Sequence, residues 1–209
     1  MAIVCPTVLA GEPHEFREQI ERVAPFASRI QIDLMDGAFA PTKSVALDSV
    51  WWPEGLDVDI HLMYQEPERY LEKLVNLRPN MVIIHAEADV DLVKFAAVLH
   101  ENNIKAGLAV LKDTQIKEVQ HFLPNFDHLL IFSGDLGRFG GQVDMSLLEK
   151  VSEAKKIVPN IEVGWDGGIN ETNALDLSNG GVEVLNVGGY IQRASQPDKA
   201  YVTISSLIS

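Results

Sequence analysis

RIQIDLMDGAF, residues 29–39, joins a β-type run carrying Ile30 and Ile32 to two carboxylates, Asp33 and Asp36, and to Gly37. Carboxylates placed where a strand runs out point to a site at the strand's C-terminal end, although the stretch alone also reads as a strand-ending turn. Gln31 sits two residues before Asp33 and therefore projects from the same side of the strand. A catalytic metal ion at that corner would prefer His.

Similar short apolar runs recur along the chain and alternate with longer helical patterns. They cover residues 3–9, 29–33, 58–63, 81–85, 106–110, 128–132, 161–163 and 184–187. Helical patterns fill most gaps: residues 13–27, 67–77, 90–102, 114–122, 145–158, 170–179 and 200–208, with a shorter segment at 45–52 after the second run. Pro13 and Pro67 suit first-turn positions, where the missing N–H costs nothing. Asp113-Thr114 and Asn170 read as helix N-caps. Near-continuous apolar strands separated by helices predict a parallel sheet buried on both faces. Eight such units in 209 residues predict an α/β protein with one (β/α)8 TIM-barrel domain spanning residues 1–209. The competing doubly wound sheet would carry a G-x-G-x-x-G turn after its first strand, and none is present.

Composition narrows the function. A net charge of −13 repels nucleic acid and anionic membrane surfaces, so neither is expected as a partner. A small phosphorylated ligand stays compatible, because a few backbone amides suffice to bind phosphate. The lone Cys5 excludes an intrachain disulfide and suits a reducing compartment. No charged segment followed by an apolar one opens the sequence, and no apolar run approaches 18 residues. A cytoplasmic protein is expected.

In a barrel of this type, functional residues belong at the C-terminal strand ends. Asp33, His61, His85, Glu87, Ser133 and Asp166 all fall at or just after such ends, and Gly188-Gly189 follows the eighth strand. Two carboxylates and an imidazole meeting at a barrel mouth can bind a divalent metal and exchange protons. The glycine pairs leave N–H groups free for phosphate. Each residue also has a plainer account: His61 as an interior histidine, Asp166 as an Asx turn, His85 with Glu87 as a buried polar pair. His14, His100, His121 and His128 read as surface or helix-end residues, and Trp51-Trp52 as packing against the barrel or a partner subunit.

Taken together, IDLMDGAFAP, DIHLM, IHAEA, FGGQ and WDGGIN, in this order and spacing, resemble the ribulose-phosphate 3-epimerase family; PTVLAG and AGLAV extend the likeness over essentially the whole chain. The resemblance implies a (β/α)8 barrel that epimerises a ketopentose 5-phosphate at C3. It implies Asp33 and Asp166 as the acid/base pair and as ligands, with His61, of a divalent metal (zinc, iron(II) or manganese). Met35 and Met63 would line the reaction plane, and Gly140, Gly141 and Gln142 would form a loop over the substrate. Gly167, Gly168, Gly188 and Gly189 would form the phosphate-binding turns. A homo-oligomer is expected.

The chain also departs from that pattern. Gln31 stands where the family has a metal-binding histidine, and an amide oxygen is a poorer zinc ligand. Ala10 replaces a serine, Gly189 replaces a small hydroxyl residue, and SGDLGR alters the segment before FGGQ, with Arg138 as a compensating charge. The expected function is epimerisation of D-ribulose 5-phosphate to D-xylulose 5-phosphate, by two-aspartate proton transfer through a metal-stabilised enediolate. The alternatives are a sugar-phosphate-binding barrel without turnover and a different lyase or isomerase on the same scaffold.

Overall fold

Strand β2, Arg29–Met35, has all seven residues buried and extends two residues beyond Asp33. It belongs to a closed parallel barrel in which the eight strands follow one another in chain order and β8 pairs back with β1. The computed structural model describes residues 2–138 and 141–209. The other strands are β1 (Ile3–Val8), β3 (Asp57–Met63), β4 (Met81–His85), β5 (Lys105–Val110), β6 (His128–Phe132), β7 (Glu162–Asp166) and β8 (Val184–Val187). The expected (β/α)8 barrel is therefore the observed fold.

The helices are α1 (Pro13–Val23), α2 (Leu71–Leu77), α3 (Leu92–Glu101), α4 (Ile116–Val119), α5 (Leu148–Ile157), α6 (Ala174–Asn179), α7 (Gly189–Gln192) and α8 (Pro197–Leu207). In α1, Pro13 opens the first turn, and Phe16, Ile20 and Val23 form the buried stripe at helical spacing. In α3, the Asp91 side chain caps Lys94 N while Leu92, Phe95, Ala96 and Leu99 face the sheet. After β2 only a 3-10 turn, Leu47–Ser49, stands in for a helix.

Several helices are shorter than their sequence patterns. The expected helix at 114–122 contracts to α4, whose N-cap is Gln115 in a capping box with Glu118, rather than Asp113-Thr114. Asn170 likewise lies outside α6, whose N-cap is Asn173; Asn170 instead accepts hydrogen bonds from Thr172 in a local turn. Asn170 is an Asx-type turn residue preceding a helix, a role that the sequence does not separate from capping.

Most of the apolar core lies between the strands and the surrounding helices. Inside the barrel the apolar plug is small: Met81, Ile83, Ala109 and Leu130. Below it, at the N-terminal strand ends, is a polar layer. Arg29 binds Asp59 at 2.6 Å and the two oxygens of Glu162 at 2.9 and 2.8 Å; His128 binds Glu162 at 2.7 Å, and Asn80 binds Asp59 at 2.7 Å. His128 is thus buried in the barrel, not at the surface as its sequence context suggested; strand β6 points it inward. Burial would raise the Glu162 carboxyl, but His128 and Arg29 hold it well below the usual carboxylate range. Burial of Asp59 outweighs Arg29 and Asn80, and its carboxyl is raised.

Candidate functional site

Parallel pairing places Asp33 opposite His61 on β3, and Asp166 opposite Asn186 on β8. Because side chains alternate along a strand, these four project into the barrel at its C-terminal end. Asp33, His61 and Asp166 each offer a ligand atom, all within 4.8 Å of one another. Asp36, by contrast, is part of a turn: its carboxylate accepts from the N–H groups of Ala38, Phe39 and Gln65. Burial would raise Asp36, but those donors hold it below its ordinary value.

Gln31 fills the fourth corner. Its Nε2 donates to Asp33 Oδ1 at 2.8 Å and to Asp166 Oδ2 at 2.5 Å, while Oε1 is buried without a partner among the described residues. His61 Nδ1 lies 3.0 Å from Asp33 Oδ1 and 3.8 Å from Asp166 Oδ2. Burial, and next the charge of Asp33, push the Asp166 carboxyl up to about 7, against the opposing pull of His61 and Gln31. One carboxyl of the pair is thereby poised to carry a proton near neutral pH.

Behind His61 runs a second file of polar groups. His61 Nε2 lies 2.9 Å from His85 Nε2, and His85 Nδ1 lies 3.4 Å from Glu87 Oε2. Glu87 in turn accepts from Leu111 N at 2.9 Å and from the Thr114 hydroxyl. Phe39 and Phe132 pack on the His85 ring, and burial pushes this imidazole down to about 4, so it is neutral at physiological pH. His85 Nδ1 and Glu87 Oε2 lack a well-aligned partner among the described residues. Both gain one if His61 Nε2–H donates to His85 Nε2 and His85 Nδ1–H donates to Glu87. That arrangement turns a bare His61 Nδ1 toward the two aspartates, the orientation in which a histidine receives a metal ion. The donor set fits a divalent cation at three corners; at the fourth, Gln31 presents hydrogens instead of a lone pair.

Above the aspartates opens a cavity of about 310 Å³. Asp33, Asp166 and Met63 line its deeper part, and Gly141, Gly167, Gly168, Gly188 and Gly189 also border it. Its charged lining residues besides the aspartates are Arg138 and Arg193, both exposed. Met35 is buried beside Met63 and Ala40 and is not among the lining residues. Gln31 and His61 are fully buried beneath the aspartates. Gln142 is exposed and is likewise not among the lining residues; its carbonyl accepts from the Ser133 hydroxyl at 3.2 Å. Gly140 lies outside the described residues.

Gly167, at φ +109°, has a structural requirement of its own: a Cβ there would lie 2.1 Å from Gly134 N. The turn after β7 can approach the loop after β6 this closely because Gly167 lacks a side chain. Among the lining residues, Asn186, Tyr190 and Arg193 belong to no motif that singles them out. The only sequence signal for Asn186 is a lone amide within the apolar run Val184–Val187.

The sequence model described as the Ribulose-phosphate 3 epimerase family matches residues 3–192. The chain is 29% identical to the ribulose-phosphate 3-epimerase of Bacillus subtilis, covering 96% of each chain. It is 30% identical to that of Mycobacterium leprae, covering 97% of this chain and 93% of the other. Among solved structures, 3-keto-L-gulonate-6-phosphate decarboxylase from Vibrio cholerae superposes with a TM-score of 0.75 at 7% identity, covering 99% of this chain and 97% of that one. The 3-hexulose-6-phosphate synthase of Salmonella typhimurium gives 0.70 at 12% identity, covering 99% and 98%. These structural likenesses concern the barrel alone.

Proposed function

The chain belongs to the ribulose-phosphate 3-epimerase family of isomerases, and on that premise we propose that it interconverts D-ribulose 5-phosphate and D-xylulose 5-phosphate by moving the proton at C3. The observation that carries this reading is the convergence of Asp33 and Asp166, from strands on different sides of the barrel, at the deep end of one cavity. Epimerisation removes a proton beside a carbonyl from one face and returns one to the other, so it needs two proton-transfer groups in opposite protonation states. The raised Asp166 supplies the acid, and Asp33, accepting from Gln31 and facing His61, supplies the base; in the reverse direction the roles exchange. The deprotonated carbon leaves negative charge on the neighbouring oxygens.

Asp33, His61 and Asp166 would hold a divalent ion, with Gln31 as a fourth, poorer donor. When bound, the ion supplies positive charge opposite the oxygens that become negative. Its identity, among zinc, iron(II) and manganese, depends on the Gln31 corner, because an amide oxygen suits a harder ion better than zinc. Met63 and, behind it, Met35 form an apolar wall that excludes water from the carbanion-like carbon. Gly167, Gly168, Gly188 and Gly189 would receive the phosphate, with Arg138 and Arg193 bringing cationic charge to the same cavity. Gly141 and Gln142 would belong to the covering loop, tied down by Ser133. No helix among the described residues is long and apolar enough to cross a membrane. A cytoplasmic homo-oligomer accords with the lone buried Cys5 and with the exposed Ile3, Leu175 and Val202.

Proton exchange at C3 tests the reading. Incubation with D-ribulose 5-phosphate in deuterated water, with and without zinc, manganese or iron(II), is expected to give xylulose 5-phosphate deuterated at C3. The exchange is expected to disappear in Asp33→Asn and Asp166→Asn. Binding without exchange under every metal condition would instead favour a sugar-phosphate-binding barrel.

A further inference from the structure

We propose that Asn186 is a substrate-binding residue that holds a hydroxyl or carbonyl oxygen of the sugar phosphate beside Asp166. The inference rests on the sugar-phosphate reading above but not on turnover. Asn186 is 2% exposed, and neither its Oδ1 nor its Nδ2 has a hydrogen-bond partner among the described residues. Its strand neighbours Leu185 and Val187 are apolar and fully buried. An apolar side chain of similar size would occupy the same space without two unsatisfied polar atoms, so stability gives no reason for an amide there.

Its position supplies the reason. Asn186 is in register with Asp166 and with Cys5, lines the same cavity as the two aspartates, and precedes Gly188 by two residues. An amide offers one acceptor and two donors, which match a hydroxyl that both gives and takes a hydrogen bond, or a hydroxyl next to a carbonyl. A phosphate does not suit this place: it would put an anion against two carboxylates and the Asn186 carbonyl oxygen. The glycine turns and arginines of the same cavity suit it better. A ligand lying between the two ends therefore satisfies Asn186 with its uncharged oxygens.

The test compares the wild type with Asn186→Leu, nearly the same size but apolar, and Asn186→Thr. Three quantities are measured: unliganded melting temperature, affinity for D-ribulose 5-phosphate, and affinity for inorganic phosphate. The expected result for Asn186→Leu is an equal or higher melting temperature, unchanged phosphate affinity, and sugar-phosphate affinity lower by about tenfold or more. Unchanged sugar-phosphate affinity overturns the proposal. If the Leu variant fails to fold, the same two affinities in Asn186→Thr decide in the same way. Wild-type binding without C3 exchange removes the epimerase reading and leaves this inference standing if the variant loses affinity. A wild type that binds no D-ribulose 5-phosphate overturns the inference itself.

Discussion

Gln31 donates an amide hydrogen to Asp166 at 2.5 Å, reaching from β2 to β7 across the barrel. The same nitrogen donates to Asp33, so one neutral group bridges two carboxylates that would otherwise repel each other. The cost is a buried Oε1 without a partner among the described residues. A half-turn of the amide would aim that oxygen at the carboxylates, which is favourable only with a cation between them.

Gln31→His should therefore tighten divalent-ion binding by about tenfold or more, because imidazole is a better ligand than an amide for zinc. Competition titration against a chelator measures this directly. Unchanged affinity would show that the Gln31 corner does not face the bound ion.

Glu87→Ala is expected to weaken ion binding by about 10–100-fold, because the file Glu87–His85–His61 orients Nδ1 of His61 toward the aspartates. Equal affinities in variant and wild type would reduce Glu87 to a structural role, anchoring Leu111 and Thr114.

Asp166 makes stability depend on pH. Its carboxyl is raised from 3.8 to about 7 on folding, so the folded state holds that proton more tightly than the unfolded chain. The resulting stabilisation is complete below about pH 4 and is lost as pH rises toward about 7. In metal-free protein, Asp166→Asn should match the wild type near pH 4 and exceed it by about 2–4 kcal/mol above pH 7. Urea unfolding across this range gives the answer, and a difference independent of pH would refute the assignment.

At the opposite end of the barrel, Arg29→Met should destabilise the protein by about 3–5 kcal/mol, because it leaves Asp59 buried without its cation. Urea midpoints measure the loss. C3 exchange at low temperature should persist, because the apolar plug of Met81, Ile83, Ala109 and Leu130 separates this network from the aspartates.

The strands, their number and their parallel order were legible in the sequence, because a strand buried on both faces must be apolar nearly throughout. The sequence singled out Asp33, His61 and Asp166 for the complementary reason: a polar residue near the end of such a run has few structural uses. The short α4 was not, since its helical pattern continues to residue 122 while the chain leaves the helix after Val119. His128 and Asn186 were not legible either, because whether a polar side chain in a strand points into the barrel or out of it depends on register.

The sequence by itself determined a closed eight-stranded parallel barrel, membership in an epimerase family, and the residues proposed for proton transfer. Hydrophobic periodicity and ordered motifs are local properties of the chain. Tertiary structure alone decided which groups meet: Gln31 bridging the aspartates, His85 and Glu87 aligned behind His61, and Asn186 unsatisfied beside Asp166. Those contacts join residues as many as 135 positions apart, and only barrel closure and strand register bring them within hydrogen-bonding distance.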